Sequence, residues 1–254
     1  MSLLKNQIEI SKMRKTGKLV NQVIHETAKS IRPGITTSEL EDVAVMFMEE
    51  RGLTSPCLGY APANHPPFPA WTCISVNEEI VHAVPGRRAL KEGDLVTIDV
   101  CAEHGGWVAD SAWTFPVGKV SPRAEKLLKV TEEALYRGIA QARPGNKTGD
   151  ISNAIQKYVE NHGFSIVEEL SGHGVGRTMH EGELCIPNFG ARNKGTRLQS
   201  GMTFAIEPMI NLGRRDIVTR KDGWTIVTKD GSLSAHFEHT IAIVQGGSQI
   251  LTCP

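Results

Sequence analysis

Residues 95–115, "LVTIDVCAEHGGWVADSAWTF", carry two carboxylates where a strand-forming sequence has little use for them. Asp99 stands among Val96, Ile98 and Val100; Asp110 stands among Val108, Ala112 and Trp113. The segment reads as two β-strands joined by a tight Gly-containing turn, and Asp is disfavoured in strands. Folding it about the bond between His104 and Gly105 sets Asp99 opposite Asp110, with Cβ atoms roughly 5 Å apart on one face. Like charges so placed are destabilising. Three arrangements relieve them: a shared proton, as in an acidic dyad; a cation between them; or a slipped register that exposes at least one Asp at a strand end.

Other residue types favour the cation. Glu207 lies in the apolar "MTFAIEPMI" and Glu238 in "SAHFEHTIAIV", a strand-like run preceded by a "KDGS" turn at 229–232. A lone buried carboxylate is costly, and four are most economically explained by metal ions. "LSGHGVGRTMHEGE" sets His173 among Gly172, Gly174 and Gly176, which let the backbone turn tightly and approach its neighbours closely. No GxGxxG pattern or P-loop lysine follows, so a phosphate cradle has weak support. His180 follows seven residues on, and "NEEIVHAVPG" adds His82 ahead of the Asp99 strand. His25, His65, His104 and His162 read as ordinary surface or packed histidines. Four carboxylates and one histidine suit Mn²⁺, Fe²⁺ or Co²⁺, with Zn²⁺ also accommodated; a structural zinc site would use Cys and His. The set describes a hydrolytic two-metal site, its ions roughly 3.5–4 Å apart.

The elements that must position these residues come as a repeat. "RPGITTSELEDVAVMFMEERG", from Arg32, matches "RPGNKTGDISNAIQKYVENHG", from Arg143, without a gap. Each reads as a turn and a capped amphipathic helix ending at Gly52 or Gly163, with Glu39 or Asp150 in its first turn. A further helix precedes each, over roughly 8–31 and 122–142. "LKEGDLVTIDV" resembles "LQSGMTFAIEP", which aligns Asp99 with Glu207. The pattern predicts an α+β fold of two pseudo-symmetric halves, roughly 1–120 and 121–254, with the metal site between them. The chain of 254 residues is 40% hydrophobic with net charge +0, so a nucleic-acid or membrane partner has no support. The first residues hold neither a signal peptide nor a membrane span. The five cysteines are scattered and lack a CxxC pair, which argues against a disulfide framework and fits a reducing cytoplasm.

"TCISVNEEIVHAVPG", "EGDLVTIDV", "ADSAWTF", "SGHGVGRTMHEG", "GMTFAIEPM" and "FEHTIAIV" together resemble, in order, the blocks of the type I methionine aminopeptidases. The resemblance covers nearly the whole chain. It implies a pita-bread fold around a central antiparallel sheet, one catalytic domain over 1–254 that starts almost at once, and removal of the initiator methionine from nascent polypeptides with a small second residue. By resemblance, Asp99, Asp110, His173, Glu207 and Glu238 are the metal ligands of two divalent ions, Asp110 and Glu238 bridging both. A hydroxide bridging the ions would attack, Glu207 would shuttle the proton, His180 would stabilise the developing oxyanion, and His82 would sit near the second residue's amide. Cys57, Tyr60, Cys73 and Trp224 would line the methionine pocket. Substrates would be free peptide N-termini, met at or near the ribosome, and the protein a monomer. Four features depart from the family: Met179 where Phe is common, "HEGELCIPNFG" after His180, a Pro-rich loop at 61–72, and His236 where Gln is common. The alternatives are an X-Pro aminopeptidase or prolidase, which usually carries an extra domain that 254 residues leave no room for, and a non-catalytic binding paralogue, which typically loses ligands that are all present here.

Overall fold

The computed structural model describes residues 4–62 and 65–254. The expectations for the first residues and for the 61–72 loop thus fall partly outside the described residues. Helix α1 (Gln7–Ala28) and α2 (Thr37–Glu50) precede β1 (Cys73–Val76), β2 (Glu79–Val81), β3 (Leu95–His104) and β4 (Trp107–Pro116). Helix α3 (Pro122–Gln141) and α4 (Thr148–Asn161) then precede β5 (Ser165–Ile166), β6 (Ser171–His173), β7 (Cys185–Pro187), β8 (Thr203–Ile206) and β9 (Met209–Asn211). The chain closes with β10 (Ile217–Thr219), β11 (Ile226–Thr228), β12 (Ser234–His236), β13 (His239–Val244) and β14 (Gly247–Ile250). All strand pairings are antiparallel among the described residues.

The repeat survives down to single hydrogen bonds. Gly34 and Gly145 both sit at φ +92, and their N–H groups donate to the carbonyls of Leu90 and Leu198. Thr37 N donates to Arg88 O, and Thr148 N to Thr196 O. Gly93 at φ +92 donates to Val117 O, and Gly201 at φ +95 to Ile243 O. Left-handed backbone is nearly free for Gly and strained for other residues, so these glycines hold matching turns in both halves. Each second helix is closed by a carboxylate: Glu39 accepts from Thr36 N at 2.8 Å and Asp150 from Lys147 N at 2.9 Å.

Each half builds a three-stranded sheet, β1-β3-β4 and β14-β13-β8. The central layer is their meeting along β4 and β13 rather than one unbroken ladder. Thr240 Oγ1 accepts from Asp110 N at 2.9 Å and donates to Asp110 O at 2.7 Å; Glu238 N donates to Ala112 O at 2.8 Å. Helix α1 covers one half through Val20, Val23 and Ile24 against Ile98, Val100 and Ala109. Helix α3 covers the other through Leu127, Val130 and Ala134 against Phe204, Ile206 and Ile241. Because strand side chains alternate, the opposite face of β3 and β4 is left to Asp99, Cys101 and Asp110.

The hairpin register differs from the sequence expectation. Asp99 pairs with Ala112 and Cys101 with Asp110, so the aspartates are diagonal neighbours on one face rather than directly opposed. The turn is Gly105–Gly106, at φ +59 and +75. A two-residue hairpin turn of this kind needs positive φ at both positions, which Gly-Gly supplies and His104 does not. Two other expected strands are broken at their carboxylates. Glu207 lies between β8 and β9, where Pro208 cannot donate to a ladder, and Glu238 lies between β12 and β13, its N–H committed across the seam.

Candidate metal centre

The four carboxylates and His173 converge on a cleft of about 630 Å³ measured to its open mouth. One ligand atom from each of Asp110, His173 and Glu238 lies within 4.8 Å of the others. His173 Nε2 is 3.8 Å from Asp110 Oδ2 and 3.6 Å from Glu207 Oε1. Its Nδ1 lies 3.2 Å from Gly174 O, so that nitrogen carries the proton and Nε2 is left as the donor to a metal. Gly172 and Gly174 hold this strand by close approach alone: a Cβ would stand 2.3 Å from Ala205 O and 2.1 Å from Glu181 O. Neither is at positive φ, so the tight turn expected of them is not their role. Asn188 Nδ2 donates to Glu207 O at 2.9 Å and fixes the backbone at the Pro208 break.

The electrostatics ask for a cation. Burial pushes the carboxyls of Asp99, Glu207 and Glu238 well above the ordinary carboxylate range, and the charge of Asp110 adds to each. Asp110 is raised by burial as well. Among the described residues, Asp110 Oδ1, Glu207 Oε1 and Glu238 Oε1 are buried without a hydrogen-bond partner. Such atoms are rare in folded proteins and point to an ion or water. Oxygen donors with one neutral imidazole fit a hard or borderline divalent ion.

Residues 11–245 match Metallopeptidase family M24.

The chain belongs to metallopeptidase family M24.

The M24 chain is 48% identical over 252 residues to methionine aminopeptidase 1 of Bacillus subtilis (strain 168), with 99% of each chain covered. Among solved structures it resembles a methionine aminopeptidase from Thermotoga maritima at TM-score 0.94 and 42% identity, covering 99% of each chain. A prolidase from Pyrococcus furiosus shares the fold at TM-score 0.77 and 21% identity; this chain covers 66% of it. These likenesses, with the mixed helices and antiparallel sheets, bear out the α+β pita-bread fold read from the sequence.

Around the ligands, this M24 cleft is lined by the other residues singled out by sequence. His180 faces His173 at 4.3 Å between ring centroids, and its Nδ1 meets the Tyr60 hydroxyl at 3.1 Å. Burial pushes its imidazole down to about 4, with the charge of His173 adding. His82 opens into the cleft on left-handed backbone, φ +57, a strain tolerated mainly at functional sites. The enclosing walls push it down to about 4, helped by His180 and His173. Cys57, Cys73, Tyr60 and Trp224 form an apolar wall with Phe68. The Pro-rich loop holds Trp224, whose Nε1 donates to Pro66 O at 3.0 Å while Phe68 meets it edge-on at 5.2 Å. Residues 63 and 64 of that loop lie outside the described residues. All five cysteines are free thiols.

Sequence reasoning missed Phe68, Val81 and Cys101, and set Met179 and His236 near the pocket as departures without giving them a role; all five line the cleft. Cys101 could have been found, since it follows Asp99 by two residues in one strand and shares its face. Nothing local marked Phe68 or Val81.

Proposed function

We propose that this chain is a methionine aminopeptidase that removes the initiator methionine from peptides with a small second residue. The observation that carries the reading is the convergence of four carboxylates, three of them with a buried unpartnered oxygen, and His173 on a cleft whose adjoining wall is apolar and sulfur-bearing. The names of relatives nearly half identical over the whole chain support it. Asp99, Asp110, His173, Glu207 and Glu238 would hold two divalent ions, of Mn, Fe, Co or Zn. Bound there, divalent ions make water a nucleophile at neutral pH and polarise the scissile carbonyl.

The chain's own residues do the rest. Glu207, with one free oxygen and a carboxyl prone to hold a proton, accepts a proton from water and delivers it to the leaving amine. His180 is neutral, and the Tyr60 hydroxyl at Nδ1 leaves Nε2 to donate to the carbonyl oxygen as charge builds on it. His82, across the cleft, meets the amide of the second residue. Cys57, Tyr60, Cys73 and Trp224, joined by Phe68 and Met179, take the thioether side chain, for which a polarizable apolar wall is suited. The two halves, 1–120 and 121–254, act as one catalytic domain, since the ligands come from both. The same reading makes the protein a cytoplasmic monomer that meets nascent chains near the ribosome; among the described residues no helix is long and apolar enough to cross a membrane.

Met-Ala-Ser and an X-Pro peptide separate the candidates. After chelation, activity on Met-Ala-Ser should vanish and return with Mn²⁺, Fe²⁺, Co²⁺ or Zn²⁺. Cleavage of the X-Pro peptide alone would favour a prolidase-like enzyme, and hydrolysis of neither a binding paralogue.

A further inference from the structure

One further imidazole, outside the five expected ligands, lies beside their carboxylates. His236, at the end of β12, is only 2% exposed and lines the cleft. Its backbone is fixed: His236 N donates to Thr114 Oγ1 at 2.9 Å and Thr114 Oγ1 donates to His236 O at 2.7 Å. Neither ring nitrogen has a hydrogen-bond partner among the described residues. A buried imidazole so placed loses its hydration without compensation.

Distance decides what would compensate it. His236 Nε2 is 4.0 Å from Glu207 Oε2 and 3.9 Å from Glu238 Oε2. A direct hydrogen bond needs about 2.7–3.2 Å. A cation about 2.1 Å from each of two ligand atoms holds them no more than about 4.2 Å apart. Both separations lie beyond a hydrogen bond and just inside that limit, so a cation shared with either carboxylate would sit at a wide angle between the two ligand atoms. His173 stands in the same relation to its carboxylates, at 3.6 and 3.8 Å. The two imidazoles flank Glu207, His173 facing Oε1 and His236 facing Oε2.

We propose that His236 is a sixth protein ligand of the metal centre, giving nitrogen through Nε2 to the ion held by Glu207. The proposal rests on the metal-centre reading above. It makes the site richer in nitrogen than the family pattern, where Gln is common at this position, and tilts it toward ions that favour imidazole.

Cobalt tests this directly. In the Co²⁺-loaded enzyme, proton NMR resolves far-shifted, solvent-exchangeable imidazole N–H signals, one from each coordinated histidine. Selective ¹⁵N-histidine labelling identifies them. Two signals are expected in the wild type. His236→Gln should leave one and weaken cobalt binding at least about tenfold, the lower end of what losing a more distant partner costs. One signal in the wild type, whatever the variant does, overturns the proposal while leaving the metal centre intact. No shifted signal and no cobalt uptake would instead overturn the metal centre.

Discussion

At the residue scale, the site is held together by groups that are poorly off without their ion. Asp110 has one oxygen buried without a partner and a carboxyl raised by burial. Asp110→Asn should therefore not lower the melting temperature of the metal-free protein. It should abolish the rise that added Co²⁺ produces and cut peptidase activity at least about 100-fold. A lower metal-free melting temperature with metal binding retained would make Asp110 a structural residue. Glu238 gives a signed pH dependence. Its folded-state carboxyl lies well above the ordinary value, so the native state holds that proton more tightly than the unfolded chain. The stability it contributes is present at low pH and is lost as pH rises through the folded value. His236, pushed down to about 3 by burial, acts in the opposite sense and loses stability as pH falls from the ordinary histidine value. Glu238→Gln removes only the carboxylate contribution. With chelator present, its advantage in melting temperature over wild type should widen between about pH 5 and about pH 8. A gap that narrows would contradict the assignment.

At the scale of elements, glycines and prolines decide where each ligand points. The aspartates were legible as a same-face pair because strand alternation depends only on parity. Their offset was not, because it depends on which two residues make the turn, and Gly105–Gly106 at positive φ settled it. Nothing lies within 4 Å of a Cβ at Gly105. Gly105→Ala therefore meets backbone strain alone and should cost about 1–2 kcal/mol in urea unfolding. Cobalt affinity should stay unchanged, since β1 and the β13 seam also hold the strands. The repeat was legible for a similar reason: its turns and caps are local, and Gly34 and Gly145 repeat one backbone conformation. The breaks at Glu207 and Glu238 were less so. Pro208 marks the first, but the second follows from a hydrogen bond to Ala112 in the other half.

At the scale of the whole molecule, the centre exists because two half-sheets meet along β4 and β13. Thr240 is the joint, bonded to both the N–H and the carbonyl of Asp110. Thr240→Val keeps the volume and strands two buried backbone groups, at a cost of about 2 kcal/mol or more. Metal affinity should fall together with stability, because Asp110 is then no longer fixed against Glu238. Isothermal titration with Co²⁺ beside urea unfolding checks this. Affinity untouched by the lost stability would show that the seam does not position the ligands.

The candidate donors, the internal repeat, the helices with their caps and the antiparallel strand pattern were all legible in the sequence. Each is written in residue types and short spacings, which local physics reads without knowing the rest of the chain. Long-range packing set the diagonal placement of the aspartates, the breaks at Glu207 and Glu238, the Phe68–Trp224 wall and the position of His236 between two carboxylates. Those depend on contacts between residues far apart in the chain, such as Asp110 with Thr240 and His236 with Thr114. No local preference encodes such a contact; it is set when the two half-sheets pack.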